Sequence, residues 1–363
     1  MPRVVLDAVA EAHLLEHLVF RQSKYLDEGQ AIPVWQRLGA SFGSDTNAQT
    51  GPLSTTFQLD LPNATPTSVD ESFKLLSGMV IYPSLSTANI KTDLPIVLSE
   101  KRERGGASAR VGDAMHELLY AGQRLAMRDP IGTEPTLNAA TEQSIRAFHS
   151  RWYRPENAVV IASGDIDPAQ LEAMIHTWFA GWNASGKPTP APSFGDPVAP
   201  AVNGSANPVG ATPVGETKVL VEPELPRGAS FAILRPWRQI TDNIAYNQGL
   251  MIDALAQALI NRRLETKARA GGSYLLAQVQ QQDVSRSVDG TFVSVTPLSA
   301  DWQSALRDVR AVIADALATP PTQEEIDREA AEMEIAYQVP AEQQMLLAGS
   351  KAADDLVQAL DIR

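Results

Sequence analysis

Residues 13–17 read His13-Leu14-Leu15-Glu16-His17, inside the apolar stretch VAEAHLLEHLVF at 9–20. That pattern predicts a helix over 9–20. On a helix, residues four apart share one face, with Cβ atoms roughly 6 Å apart, so both imidazoles can reach a single metal ion. Glu16 borders the same face and sets a carboxylate beside that ion without having to ligate it. Two neutral imidazoles that hold Zn²⁺, with a carboxylate able to take a proton from water, are what a zinc hydrolase requires. The order is the reverse of the helical H-E-x-x-H motif. With five histidines in 363 residues, chance gives the whole pattern, Glu16 included, on the order of 0.5% of the time. The plain alternative is two histidines merely packed on a helix; the spacing favours the metal.

Such a site needs a third protein ligand and an open position. The chain has no cysteine, which excludes disulfides, iron–sulfur clusters, thiolate zinc sites and a cysteine nucleophile together. His116, His149 and His176 stand isolated in the sequence. The run DLPIVLSEKRER at 93–104 offers Glu100 and Glu103 on a predicted helix, with Asp93 as its cap. Composition does not choose between the two glutamates. A formal charge of −13 argues against nucleic acid as partner, since phosphate binding needs a basic surface. No run approaches ~20 apolar residues, so no membrane insertion is expected. The opening MPRVVLDAVAEAH lacks the long apolar run and small-residue cleavage site of a secretory signal.

From Asn183 to Glu216 the chain is dense in proline and small residues, with seven of the 25 prolines. A tract of that kind runs as an extended connector. It divides the chain into 1–182, 183–216 and 217–363. In the first part, a strand is expected near 41–48. LSTTFQLDLP at 53–62 then alternates with Leu53, Thr55, Phe57, Leu59 and Leu61 on one face. A helix at 67–80 follows, then a strand NAVVIASG at 157–164 and a helix begun by Asp167-Pro168. In the last part, helices are expected at 242–268, 302–317 and 323–337, with strands near 273–282 and 290–297. Thr322 and Glu325 make a capping box for the last helix. TFQLDLP at 56–62 and TFVSVTP at 291–297 recur 235 residues apart, each at a second strand after a long helix, which suggests an internal duplication. The fold class read from this order is α+β, two homologous sandwich domains with helices packed on a mostly antiparallel sheet.

HLLEHLVF, with VLSE ending at Glu100, 83 residues beyond His17, resembles the M16 (pitrilysin/insulinase) metallopeptidases, including their mitochondrial processing peptidase branch. LGASFGSDTNAQTGPLSTTFQLDLP at 38–62 and DPIGTEPTLNAATEQSIRAFHSRWYRPENAVVIASGDID at 129–167 extend the likeness over most of 13–182. The resemblance implies the LuxS/MPP-like metallohydrolase fold and one Zn²⁺ per chain. It makes Glu100 the third zinc ligand beside His13 and His17, and Glu16 the general base. Asp93 falls where the family often has a glutamate supporting the ligands from behind. Gly43 to Thr50, with Asn47 and Ala48, matches an edge strand that pairs with the substrate backbone.

M16 chains are duplicated and keep the metal site in the first copy. Shifting His13, Glu16 and His17 by 235 lands on Gln248, Met251 and Ile252, and no histidine lies beyond position 176. The second half supplies an arginine and a tyrosine to substrate in this family. Tyr274 matches the tyrosine; Lys267 stands seven residues before it, lacks the guanidinium fork, and leaves Arg263 or Arg269 as substitutes. Twelve residues precede His13, where the family has one or two strands, so a shortened relative or a fragment is implied. Pro95 and Gly105-Gly106 bracket a helix shorter than the family's. The family encloses substrate between four such domains. Two make half an enclosure and imply a homodimer, a second M16-like subunit or a missing C-terminal half. The activity implied is a zinc endopeptidase acting on peptides or small unfolded polypeptides. Its rival is a non-catalytic M16-like scaffold subunit. The bacterial periplasm is favoured over the cytoplasm.

Overall fold

Helix α1 (Arg3–Arg21) organises the first part of the structure, a computed structural model that describes residues 3–198, 217–343 and 348–361. Its apolar residues do not form a stripe: Leu14, Leu15, Leu18 and Val19 are all fully buried, so α1 is a core helix with neighbours on several sides. Helix α2 (Ala31–Arg37) adds the buried Trp35 to the same core.

The hairpin β1 (Thr46–Thr50) and β2 (Thr55–Leu59) comes next, antiparallel, with Thr46 opposite Leu59 and Thr50 opposite Thr55. The strand expected near 41–48 begins later than the alternation suggests. Gly43 has φ 95°, and the Ser41 amide donates to Asp45 Oδ2 at 2.7 Å, so 41–45 closes as a turn. Helix α3 (Pro66–Ile81) matches the expected 67–80 and starts on a Thr65/Ser68 capping box.

Helix α4 (Thr87–Glu103) corrects two expectations. Ser86 caps it, its side chain accepting from the Asn89 amide, while Asp93 lies inside the helix and is buried. Pro95 is also inside the helix and does not bracket it. A helical proline costs ~3 kcal/mol, and burial of Ile90 and Val97 in the core shared with α1 offsets that loss.

Helix α5 (Ala107–Leu119) precedes α6 (Glu134–Asn138), α7 (Glu142–Trp152) and α8 (Pro168–Phe179). Asp167 caps α8 as its sequence predicts, accepting from the Ala169 amide. The expected strand NAVVIASG does not form: 157–164 makes no ladder among the described residues, and Val159 is 68% exposed. A strand requires a neighbour for its N–H and C=O groups, and among the described residues the first unit's only ladder is between β1 and β2.

The second part contains β3 (Ala229–Pro236), α9 (Ile244–Arg269), β4 (Tyr274–Val284), β5 (Val288–Pro297), α10 (Trp302–Ala318) and α11 (Gln323–Gln343). The sheet order is β3-β5-β4, antiparallel throughout. Phe231, Val293 and Val279 sit in register across it and pack in a core with Leu264, Ala305 and Val309. On the β4 backbone, Asn261 of α9 accepts from the Val279 amide and donates to its carbonyl, while Gln257 accepts from the Gln281 amide. These side chains blunt the strand against stray pairing.

Two compact units result, mixed helix and antiparallel sheet, as the α+β reading has it. The first comprises Met1–Gly106, Arg124–Ser193 and Ala348–Leu360, which includes α12 (Gly349–Asp361) up to its last residue; the second comprises Ala107–Gln123 with α5, and Phe194–Leu347. The sequence division keeps to chain order, whereas these units exchange one helix each way. In the expected connector, 183–198 forms no helix or strand, and 199–216 lies outside the described residues. The repeated fragments fall on β2 and β5, each the second strand of a hairpin.

Candidate active site

His13, His17 and Arg21 form one stripe along α1, and α4 packs against it with Glu100 and Asp93. His13 Nε2 lies 3.6 Å from Glu100 Oε2, and His17 Nε2 lies 3.4 Å from the same oxygen. One ligand atom from each of the three residues falls within 4.8 Å of the others. Four-coordinate zinc with bonds of 2.0–2.2 Å sets neighbouring ligand atoms about 3.3–3.6 Å apart. The two separations to Glu100 and the donor set therefore fit that ion. Among the described residues no other such group occurs.

The electrostatics agree with this fit. Burial first, and the neighbouring His17 second, bring the His13 pKa down to about 4, which keeps its ring neutral and able to ligate. The other oxygen of Glu100, Oε1, accepts from Arg104 one turn along α4. His13 Nδ1 is buried without a hydrogen-bond partner among the described residues. Glu103, the glutamate that composition could not separate from Glu100, is exposed and contacts Ser99.

Glu16 is buried at 8% exposure beside the two histidines. Burial pushes its carboxyl above the ordinary range, and a hydrogen bond from Thr50 pulls partly back. That bond runs from Thr50 Oγ1 to Glu16 Oε2 at 2.5 Å and ties the last residue of β1 to α1. Asp93 accepts from Arg21 through two bonds, 2.7 Å from Nε and 3.1 Å from Nη2. This bidentate pair fixes α1 against α4 within two turns of the histidines. Arg21 and Thr50 were not among the residues singled out by sequence. Arg21 carried a signal, since it repeats the four-residue spacing of the histidines. Thr50 carried none.

The outer edge of β1 follows from its ladder. The Asp60 amide donates to the Asp45 carbonyl and the Gly51 amide to Ser54, so alternation turns Asn47 and Gln49 toward β2, and Ala48 and Thr50 away from it. On that outer side Asn47 Oδ1 accepts from the Ala48 amide at 2.9 Å.

In the second unit the expected substrate contacts are placed differently. Tyr274 is 1% exposed, and its hydroxyl donates to the Leu264 carbonyl at 2.7 Å. This corrects the expectation that it reaches substrate, because its one donor is used inside the core. Lys267 is exposed, Arg263 is held by Glu325 and Arg269 by Glu265. Met251 and Ile252, at the positions offset from Glu16 and His17, are exposed on α9. His149 Nε2 donates to the Val80 carbonyl at 2.8 Å and its ring stacks on Tyr153, and His116 lies edge-on to Tyr120.

Residues 11–128 match the family described as "Insulinase (Peptidase family M16)", and residues 139–333 match "Peptidase M16 inactive domain". The chain belongs to peptidase family M16. The first match contains His13, Glu16, His17 and Glu100. A curated relative, "Probable zinc protease PqqL" of Haemophilus influenzae, is 30% identical over 164 residues, which is 45% of this chain and 18% of the relative. The crystal structure of the periplasmic protease PqqL from Escherichia coli superposes with a TM-score of 0.80 at 20% identity, covering 98% of this chain and 38% of that one. A structure of the first half of the same protein gives 0.79 at 19% identity, covering 98% and 74%. The match thus spans under a fifth of this Haemophilus influenzae relative, and the chain covers under half of the full PqqL structure. Among the described residues, no helix of this M16 chain is long and apolar enough to cross a membrane.

Proposed function

We propose that this M16 chain carries the zinc site of an endopeptidase that cuts peptides or small unfolded polypeptides, with one Zn²⁺ held by His13, His17 and Glu100. The observation that carries the reading is the convergence of those three donors with a buried carboxylate, Glu16, on the same helix. When bound there, zinc supplies Lewis-acid polarisation of the scissile carbonyl and makes water acidic enough to be deprotonated near neutral pH. Glu16 takes the proton of the attacking water and delivers it to the amide nitrogen as the C–N bond breaks. Its burial suits that task, since a raised carboxyl pKa holds a proton more readily between the two transfers. The outer backbone groups of Ala48 and Thr50 receive the substrate as an added strand, and Asn47 gives up its bond to the Ala48 amide as this happens.

In the same reading, 1–182 is the zinc-bearing domain and 217–363 a companion without metal, joined by 183–216. Half an enclosure calls for a second half from a homodimer, a second M16-like subunit or further chain, as the match to the first half of PqqL supports. The periplasmic description of that Escherichia coli protein favours the periplasm here too.

Glu16→Gln tests the assignment. Hydrolysis of a quenched fluorescent peptide falls by at least 100-fold while zinc content by atomic absorption stays at one per chain; a variant that still cleaves refutes it. The "inactive domain" match over 139–333 favours the scaffold as second reading, and zinc well below one equivalent in metal-replete wild type decides for it.

A further inference from the structure

Thr50 sits at a junction that the proposed chemistry does not by itself require. It is the last residue of β1, its backbone faces the outer edge, and its side chain bonds the carboxylate of Glu16 at 2.5 Å. Across the hairpin Thr50 pairs with Thr55, and the two hydroxyl oxygens are 3.2 Å apart. A hydroxyl has one proton to donate. An ionised Glu16 accepts only, so the Thr50 proton goes to Glu16 and Thr55 donates to Thr50. Both threonines are β-branched and stiff at χ1. Beside them the half-buried ring of Tyr153 lies between Phe57 and His149, with centroid distances of 6.4 and 4.9 Å. The hydroxyl pair therefore has little freedom to move independently of the hairpin.

We propose that Thr50 is a positioning residue that couples strand pairing on the outer edge of β1 to the aim of Glu16. Its hydroxyl pins Oε2 of Glu16 and leaves Oε1 for the water proton. Because backbone and hydroxyl belong to one residue, a substrate that pairs fully with β1 steadies the base, and one that stops short does not. Part of the binding energy thus appears in kcat instead of KM. The inference rests on the peptidase reading.

Three measurements test it in the purified protein. Thr50→Val keeps the shape and removes the hydroxyl; kcat falls about 10- to 100-fold, the range expected for a misaimed base, with KM and zinc content unchanged. Thr50→Ala, which cannot clash, shows the same loss, and Thr50→Ser recovers to within about threefold of wild type. In a Glu16→Gln background, adding Thr50→Val leaves the Kd of an uncleaved peptide unchanged, because the hydroxyl acts through Glu16. A kcat within twofold of wild type, or a Kd that rises in that background, overturns the inference. Crystal structures separate its failure from that of the peptidase reading. If wild type cleaves nothing, that reading falls, and a Glu16 side chain that keeps its position in Thr50→Val overturns the role of Thr50 as well.

Discussion

Arg21 lies four residues beyond His17, and its guanidinium closes on Asp93 across the gap between α1 and α4. The Asp93 side chain is only 8% exposed, so removing its charge leaves Arg21 facing a poor acceptor. Glu28, 3.5 Å away, compensates in part. Asp93→Ala is expected to destabilise the first unit by about 2–4 kcal/mol and to weaken zinc binding roughly tenfold. Urea unfolding and a chelator competition measure the two effects, and an unchanged urea midpoint would count against the tie. The cap role that sequence assigned to Asp93 failed because Ser86, seven residues earlier, is also a good cap and starts the helix sooner. The histidines and Glu16 were legible because helical spacing is local. Composition left Glu100 as one of two glutamates and only the family resemblance singled it out, while Thr50 was not legible at all, since a contact over 34 residues leaves no period in the chain.

Helix α11 shows how local signals and distant partners combine. Its capping box is present as read: the Thr322 amide donates to Glu325 and the Glu325 amide to Thr322 Oγ1. What sequence did not reveal is Arg263 of α9, which donates to both oxygens of Glu325. These bonds, the guanidinium foremost, lower the Glu325 pKa from 4.5 to about 2. A depressed folded-state pKa means that the unfolded chain binds the proton more readily. The stabilisation is therefore complete above pH 4.5 and is lost as pH falls toward 2. Glu325→Gln is expected to melt below wild type at pH 7 and to converge with it near pH 2, by circular dichroism. A gap that persists at pH 2 would assign the effect to packing. Helices α3, α9 and α10, and the starts of α8 and α11, were legible to within a few residues because caps and apolar spacing are written locally. The strand expected at 157–164 was not, because alternation reports a face and says nothing of a partner.

The candidate metal-binding group belongs wholly to the first unit, and among the described residues the second contributes none to it. An ion that binds only the folded state adds RT ln(1 + [L]/Kd), about 2.7 kcal/mol at 100 times Kd. Chelation with EDTA is accordingly expected to speed hydrogen exchange in α1 and α4 while α9, β4 and β5 keep their protection. Uniform exchange over both units, or none, would contradict a single site held by α1 and α4. The α+β class and the family were readable from the chain. The exchange of α5 and α12 between units was not, since neither helix carries a mark of its destination.

That exchange has a consequence for how the protein is made. The helix that completes the unit bearing His13 and Glu100 starts at Gly349, after the residues Phe194–Leu347 of the other unit. At 5–20 residues per second a ribosome needs about 8–30 s to cross that interval. During this wait the nascent first unit lacks α12, and a surface that α12 covers, at Ser163 where Gly349 approaches, stays open. A gene split at the proline-rich tract would leave that surface uncovered until the second piece supplied α12.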